Sequence, residues 1–197
     1  MFKPEYLEMS KIVQSCKIAR LFEAVESHGG TIRFVGGAVR DTLAGLSGFD
    51  LDLATDLSPE ELSEACLDNG LKTIPVGLKT ATVGVIIDGK VLEVASLRRS
   101  IRTENGKHSF EFTDDWSADA ARRDLTINAV YADLRGNVFD YYNGVSDLEK
   151  GIVRFIGKPE DRIQEDYLRI MRFFRFYSIF GKMPMDSPSL QACIKYK

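Results

Sequence analysis

The sequence has little of several things, and each shortage narrows what the chain is. No apolar run reaches the ~18 residues that a bilayer-spanning helix needs, so no membrane partner is implied. Charge of one sign is not in excess. The formal net charge of −3 argues against a uniformly basic nucleic-acid binder and leaves room for a local basic patch. Cysteine is scarce too: Cys16, Cys66 and Cys193 are odd in number, widely spaced and without metal-ligand spacing. They read as buried or free thiols in a reducing compartment, with the cytoplasm as the default. The opening MFKPEYLEMSKIV carries charge from Lys3 onward, which does not fit a secretory signal. Internal repeats and low-complexity segments are absent. What remains, 44% hydrophobic and 28% charged over 197 residues, is an ordinary globular composition with ample length for a buried core.

Periodicity divides the chain in two. Residues 10–28 read as a helix, with Ile12, Val13, Cys16, Ala19, Leu21 and Phe22 on or near an apolar stripe and Gly29-Gly30 ending it. TIRFVGG is a strand into a turn, AVRDTLAGL a helix, and LDLAT a second strand. Ser58-Pro59-Glu60-Glu61 has the cap, proline and acids of a helix start. ATVGVIIDGKVLEVASL reads as a hairpin turning at Asp88-Gly89. After a polar loop, SADAARRDLTINAVYADL begins a helix that turns toward the strand NVFDYY. From about Asp147, PEDRIQEDYLRIMRFFRFYSIF is strongly helical, with Ile163, Leu168, Met171, Phe174 and Ile179 as its apolar positions. The expectation is a mixed domain over 1–145 and a helical segment over 146–197.

Several stretches carry chemistry. In GFDLDLATD, Asp50 and Asp52 sit one residue apart in an apolar run, on one face of a strand and roughly 6–7 Å apart. Two carboxylates that close repel each other and resist desolvation. Either they stand in water at a strand end, or a divalent cation lies between them. FVGGAVRD, fourteen residues earlier, is a strand, two glycines and a helix start. Alone it is an ordinary turn. Beside an acidic pair it becomes a phosphate cradle, with Gly36 and Gly37 admitting the ligand and Arg40 adding a charge-assisted contact. Two magnesium ions ~3.5–4 Å apart would activate an attacking hydroxyl and stabilise a leaving pyrophosphate. A third acid is expected at Glu93, mid-strand in VLEVAS, while Asp88 serves its turn. RRDLTIN places Arg122, Arg123 and Asp124 at a helix, either as a solvated charged face or touching ribose or phosphate. In EDYLRIMR, a continuous helix makes Asp166 and Arg169 i,i+3 neighbours and Glu165 and Arg169 i,i+4 neighbours. The flanking aromatics Phe173, Phe174, Phe176 and Tyr177 suit a core.

Together GGAVRD, DLDLAT, LEVASLRR, RRDLTIN and EDYLRIMRFFRF resemble the class II tRNA nucleotidyltransferase and bacterial poly(A) polymerase family, in order and spacing, across about residues 31–180. The resemblance implies an α+β fold: a polymerase-β-like nucleotidyltransferase head with a mixed or antiparallel sheet, then a helical neck for nucleobase recognition. It implies CTP and ATP as substrates, magnesium as cofactor and the tRNA 3′ end as acceptor. By the same resemblance Asp50 and Asp52 hold the metal. Gly36, Gly37 and Arg40 line the triphosphate, with Asp41 in the same motif. Arg122, Arg123, Asp124 and Asn128 contact ribose and phosphate, and Glu165, Asp166, Arg169 and Arg172 recognise the base.

Chemistry adds to that last assignment. Asp166 accepts only from an exocyclic amino group, which C and A possess, and Arg169 donates to the acceptor beside it. A mismatched base leaves a polar group unpaired at roughly 1–3 kcal/mol if buried, so protein alone can template C and A. The loop SIRTENGKHSFEFTDDW corresponds to a mobile loop linked in the family to the switch from CTP to ATP, which favours full C-C-A addition. A poly(A) polymerase, differing in acceptor and using ATP alone, shares these motifs. A silent CTP- or ATP-binding module is the alternative from another class, and the acidic pair speaks against it. Family members continue into a helical body and tail that hold the tRNA, whereas this sequence stops at Lys197. A truncated chain and a natural short form served by a separate body-and-tail chain both fit.

Overall fold

The computed structural model describes residues 16–46, 51–77, 81–102 and 108–197. Asp50, residues 10–15 of the expected first helix and residues 103–107 of the loop lie outside the described residues. Nine strands and eight α-helices are described: α1 (Cys16–Ser27), β1 (Ile32–Val35), α2 (Gly37–Leu43), β2 (Asp52–Thr55), α3 (Pro59–Asp68), β3 (Lys72–Gly77), β4 (Thr82–Ile87), β5 (Lys90–Ser96), β6 (Arg98–Arg102), β7 (His108–Phe112), α4 (Trp116–Ala121), β8 (Val130–Ala132), β9 (Val138–Asp140), α5 (Gly144–Lys150), α6 (Pro159–Glu165), α7 (Leu168–Phe180) and α8 (Ser187–Lys195). Seven strands form one sheet in the order β3-β4-β5-β2-β1-β8-β9, and among the described residues β6 pairs only with β7. All sheet pairs are antiparallel except β2 with β5. The α+β fold with a mixed sheet is therefore the observed architecture.

Local signals explain most elements. In α1, Ile18, Leu21, Phe22 and Val25 recur at one-face spacing and all are buried. Gly29 then takes φ 77°, and the N–H groups of Gly29 and Gly30 close the helix on the carbonyls of Glu26 and Val25. Ser58 caps α3 through a reciprocal box with Glu61, and Pro59 follows at the first turn. Asp88 and Gly89 both adopt positive φ, as a two-residue hairpin turn of matching twist demands. One sheet face buries Ile32, Phe34, Leu53 and Val94 with residues of α1 and α3. The opposite face packs Val35, Ala54 and Tyr131 with Trp116 and Ala120 of α4. A third cluster joins Leu125, Ile127 and Phe155 to Ile163, Phe173 and Phe176 of the C-terminal helices.

The structure departs from the sequence expectations at four places. Arg122–Asp124 lie in a turn after α4, not in a helix, because residues 124–126 give their backbone to 154–156. Ile156 N–H donates to Asp124 O at 3.0 Å, and Thr126 N–H to Arg154 O at 3.2 Å. The expected long neck helix breaks at Asp166, whose backbone is extended at φ −158°, ψ 109°. That break resets the helical phase, so Ile163 is buried while Leu168 (68%), Met171 (70%) and Ile179 (55%) are exposed. Phe173 and Phe176 face the core instead, on the side where Arg169 and Arg172 reach acidic partners. Part of the polar loop is the β6–β7 ribbon, and β3 carries Pro75 without a sequence signal. An edge position tolerates that proline.

Gly144 ties this fold to the site. A Cβ there would stand 2.2 Å from the Thr126 carbonyl oxygen, which opens the 3-10 turn Thr126–Asn128. Gly144→Ala should destabilise the protein by roughly 1–3 kcal/mol, the usual range for overpacking. Thermal unfolding checks it; an unchanged midpoint would show that the α5 start yields freely.

Candidate active site

β1 delivers the chain to Gly36, which turns at φ 65°, ψ −119°, a conformation that strains any residue with a Cβ. Its N–H donates to Val130 O at 3.2 Å, and its carbonyl accepts from Arg40 N–H at 2.9 Å. A Cβ on Gly36 would lie 3.6 Å from Asn128 O and 3.8 Å from Arg123 Nη1, so the turn lies against the RRDLTIN segment. On β2, Asp52 stands in parallel register with Glu93 of β5. Both are exposed, and Asp52 shares its sheet face with Ala54. Two carboxylates on neighbouring strands supply hard oxygen donors of the kind magnesium prefers. Among the described residues no group of three His, Cys, Asp or Glu side chains forms a metal cage.

Arg40 is buried between α2 and α7. Its Nε and Nη2 meet Asp41 Oδ1 at 2.7 Å, and its Nη1 donates to Asn128 Oδ1. The guanidinium lies over the rings of Phe176 (4.6 Å) and Phe180 (4.9 Å). Asn128 Nδ2 donates to Asp124 Oδ1 at 3.1 Å, and Arg172 Nε donates to Asp124 Oδ2 at 2.6 Å. A continuous polar chain therefore runs from α2 through the 3-10 turn to α7. Burial raises the Asp124 carboxyl, but the Arg172 hydrogen bond and charge outweigh it, leaving it below the ordinary carboxylate range.

A second network gathers around Asp119, which is fully buried on α4. Its Oδ1 accepts from Arg122 Nε at 2.8 Å and from the backbone N–H of Arg98 at 3.2 Å. Its Oδ2 accepts from Arg123 Nη2 at 3.0 Å and from the Tyr131 hydroxyl at 2.8 Å. Burial raises this carboxyl too, and the charges of Arg123 and Arg122 overcome it, so Asp119 remains ionised. Burial lowers Arg123, while Tyr131 and Asp119 more than reverse it and hold the guanidinium charged. Arg98, desolvated and beside Arg122, is pulled down to about 10.

On the neck side Glu165 holds two arginines, its Oε1 meeting Arg162 Nη2 at 2.5 Å and its Oε2 meeting Arg169 Nη1 at 2.6 Å. Arg169 Nη2 also donates to Arg122 O at 3.2 Å. Asp166 is exposed, and its Oδ1 accepts the N–H of Leu168 at 2.9 Å, opening α7.

A cleft of about 580 Å³ collects most of the expected residues: Gly36, Gly37, Arg40, Asp52, Arg122, Arg123, Asp124, Asn128, Asp166, Arg169 and Arg172. Asp41, Glu93 and Glu165 do not line it; Asp41 and Glu165 pin Arg40 and Arg169, and Glu93 flanks Asp52. Asp50, expected beside Asp52, is outside the described residues. Sequence reasoning missed Arg175 and Asp119. For Asp119 the signal was present, an acid three and four residues before Arg122 and Arg123 in ADAARR.

The glycine turn, neighbouring carboxylates on a mixed sheet and an arginine-lined cleft walled by α7 belong together in one part of the molecule. Residues 32–154 match the model for the Poly A polymerase head domain, and the chain belongs to that family. It is 43% identical over 164 residues to CCA tRNA nucleotidyltransferase 1, mitochondrial, of Mus musculus, covering 83% of this chain and 37% of that protein. The CCA-adding enzyme of Lactobacillus johnsonii is 38% identical over 164 residues, with 80% and 39% covered. The crystal structure of the Bacillus stearothermophilus CCA-adding enzyme in complex with CTP superposes with a TM-score of 0.77 at 35% identity, covering 89% of this chain and 42% of that one. The chain thus spans roughly two fifths of the length of these relatives.

The two buried carboxylates predict a pH dependence. Both lie below their unfolded value of about 3.9, so their stabilisation is complete above it and is lost as pH falls through the depressed folded values. Thermal midpoints should hold near neutrality and fall below about pH 4. Asp124→Asn should lose roughly 1–3 kcal/mol at neutral pH and show a shallower acid decline. An equally steep decline in the variant would remove Asp124 from the cause.

Proposed function

We propose that this chain is the catalytic head and neck of a tRNA nucleotidyltransferase, adding C and A to the tRNA 3′ end from CTP and ATP. The head is assigned to residues 1–145 and the neck to 146–197. The observation that carries this reading is one cleft joining the glycine turn, Asp52 and the neck pair Asp166 and Arg169. Relatives named as CCA-adding enzymes and CCA tRNA nucleotidyltransferases support the same reaction here. Their greater length leaves the grip on the rest of the tRNA to a further polypeptide region or a separate chain.

In this reading the acceptor's 3′ hydroxyl loses its proton to a cleft carboxylate or water as its oxygen bonds to the α-phosphorus, and the α–β bridge breaks so that its electron pair leaves with pyrophosphate. Asp52 and Glu93, with Asp50, would hold magnesium, which when bound supplies Lewis-acid polarisation of the phosphoryl oxygens. Gly36 and Gly37 let the triphosphate approach the backbone, and Arg40, Arg122 and Arg123 present fixed positive charge to it. Arg169 has spent three of its five N–H donors on Glu165, Arg162 O and Arg122 O, so two remain for a base. Asp166 offers its carboxylate to the exocyclic amino group of C or A. The buried Cys66 and Cys193, unpaired and with thiols pushed up to about 11, suit a reducing compartment such as the cytoplasm.

The test is incorporation of labelled CTP and ATP, separately and together, into tRNA lacking its C-C-A end, with magnesium. Ordered, limited addition of C, C and A is expected, and Asp52→Asn should lower it roughly a hundredfold or more. Long ATP-only runs would instead identify a poly(A) polymerase. Magnesium-dependent nucleotide binding without any transfer would mark the chain as a catalytic head separated from its tRNA-binding half.

A further inference from the structure

The β6–β7 ribbon has two unlike faces. Directly opposed residues of an antiparallel pair share a face, and so do residues two apart on one strand. Arg98 opposite Phe112 and Ser100 opposite Phe110 therefore lie on one side, and Arg99 opposite Glu111 on the other. Arg99 and Glu111 form an ion pair, so that second side is neutralised. The first side carries no carboxylate in these pairs. It presents Phe110 at 37% and Phe112 at 52% exposure, with ring centres 6.4 Å apart and planes inclined at 72°. The Arg98 guanidinium lies 4.7 Å from the Phe110 ring centre. Among the described residues Arg98 has no ion pair of its own, because Asp119, which accepts its backbone N–H, is held by Arg122 and Arg123. Neither phenyl ring belongs to any of the three hydrophobic clusters. Two neighbouring rings left in water forgo the burial that makes aromatic side chains stabilising. Ring faces beside a cation are the makeup of a single-strand nucleic-acid platform, in which rings stack on bases and the cation meets the backbone.

We propose that Phe110 and Phe112, with Arg98, form a stacking platform for unpaired bases of a single-stranded RNA. That this RNA is the acceptor strand rests on the nucleotidyl-transfer reading; the platform itself rests on the two faces of the ribbon. Position supports the choice. Arg122 joins the ribbon to the cleft: its Nε donates to Arg98 O at 3.1 Å, and its own carbonyl accepts from Arg169 Nη2 at 3.2 Å. Arg98, Phe110 and Phe112 do not line the cleft, so the platform stands beside it. A nucleotide held in the cleft leaves both rings free, and the strand that it joins has to arrive from outside. Bases stacked on the ribbon are then ones that precede the reacting end. Charge selects a polyanion over a protein surface, since the side that carries the rings is the side whose arginine is not neutralised.

The experiment measures binding of a short, fluorescently labelled oligocytidylate RNA and, separately, of CTP with magnesium to the full chain, for the parent, Phe112→Ala, Phe112→Leu and Phe112→Trp. Phe112→Ala should weaken the RNA roughly tenfold, as the loss of one base stack does, and leave CTP within about twofold. Phe112→Leu should lose as much, because it keeps apolar area without a ring face. Phe112→Trp should bind at least as tightly as the parent. Unfolding midpoints should match throughout, because the side chain is exposed. Parent-like RNA binding by Phe112→Ala or Phe112→Leu would overturn the proposal and give the ring pair to a protein surface. Equal losses for RNA and CTP would overturn it too, since the substitution would then act through the cleft. So would a parent chain that binds no RNA. If the parent binds the RNA through Phe112 but binds no CTP, the platform stands and the nucleotidyl-transfer reading falls.

Discussion

Asp124, largely buried at the wall of the cleft, has to satisfy two donors at once. Its carboxylate lies where the head meets the neck, and its oxygens are taken by Asn128 Nδ2 and Arg172 Nε. That leaves Asn128 one orientation. Its oxygen must accept from Arg40, because its nitrogen is already donating to Asp124. Arg40 must then lie between Asn128, Asp41 and the ring of Phe176. A buried carboxylate with one donor removed costs several kcal/mol, far more than an exposed ion pair contributes. The register between α2, the 3-10 turn and α7 is thus set by polar groups that tolerate no slip. Apolar packing of Phe173 and Phe176 fills the space around them.

The same logic explains why α4 is short and ends where it does. Asp119 draws in Arg122, Arg123 and Tyr131, and its Oδ1 also takes the N–H of Arg98 at the start of β6. Arg98 O in turn accepts Arg122 Nε at 3.1 Å. One buried carboxylate therefore fixes two arginines of the cleft and the root of the ribbon together. Isolated arginines on a turn would sample many rotamers, and each would lose that freedom on meeting a ligand. Held this way, they would meet the triphosphate of the proposed reaction with little reorganisation, which is what makes a fixed charge effective.

Much of this was legible in the sequence where the determinant is local. The Ser58 box, the Asp88-Gly89 turn and the Gly36-Gly37 bend are written in adjacent residues, and each appears as read. Asp52 beside Glu93 was half legible. Each lies in a strand-like run, but only the crossover that sets β2 parallel to β5 brings them into register. The fate of RRDLTIN was not legible, because what ends the helix at Ala121 is a bridge from Leu125 to Phe155, thirty residues away. The neck shows the same limit. α7 is apolar on two faces, so periodicity alone could not say which is buried, and long-range pairing of Arg172 with Asp124 decides it.

Under the proposed base-recognition reading, the break at Asp166 has a physical use. On a continuous helix, Asp166 and Arg169 would be joined only side chain to side chain, and the long arginine would be free to follow its partner. Here Asp166 is locked to the start of α7 through Leu168 N–H, while Arg169 is locked back to Glu165 at the end of α6 and to the Arg122 carbonyl. The two groups are held by separate anchors across one junction. Discrimination by hydrogen-bond pattern works only if a mismatched group stays unpaired, which requires that neither partner can move to rescue it. A helix break that immobilises donor and acceptor independently meets that requirement, and rigidity at this junction is the condition under which protein groups alone could choose between bases.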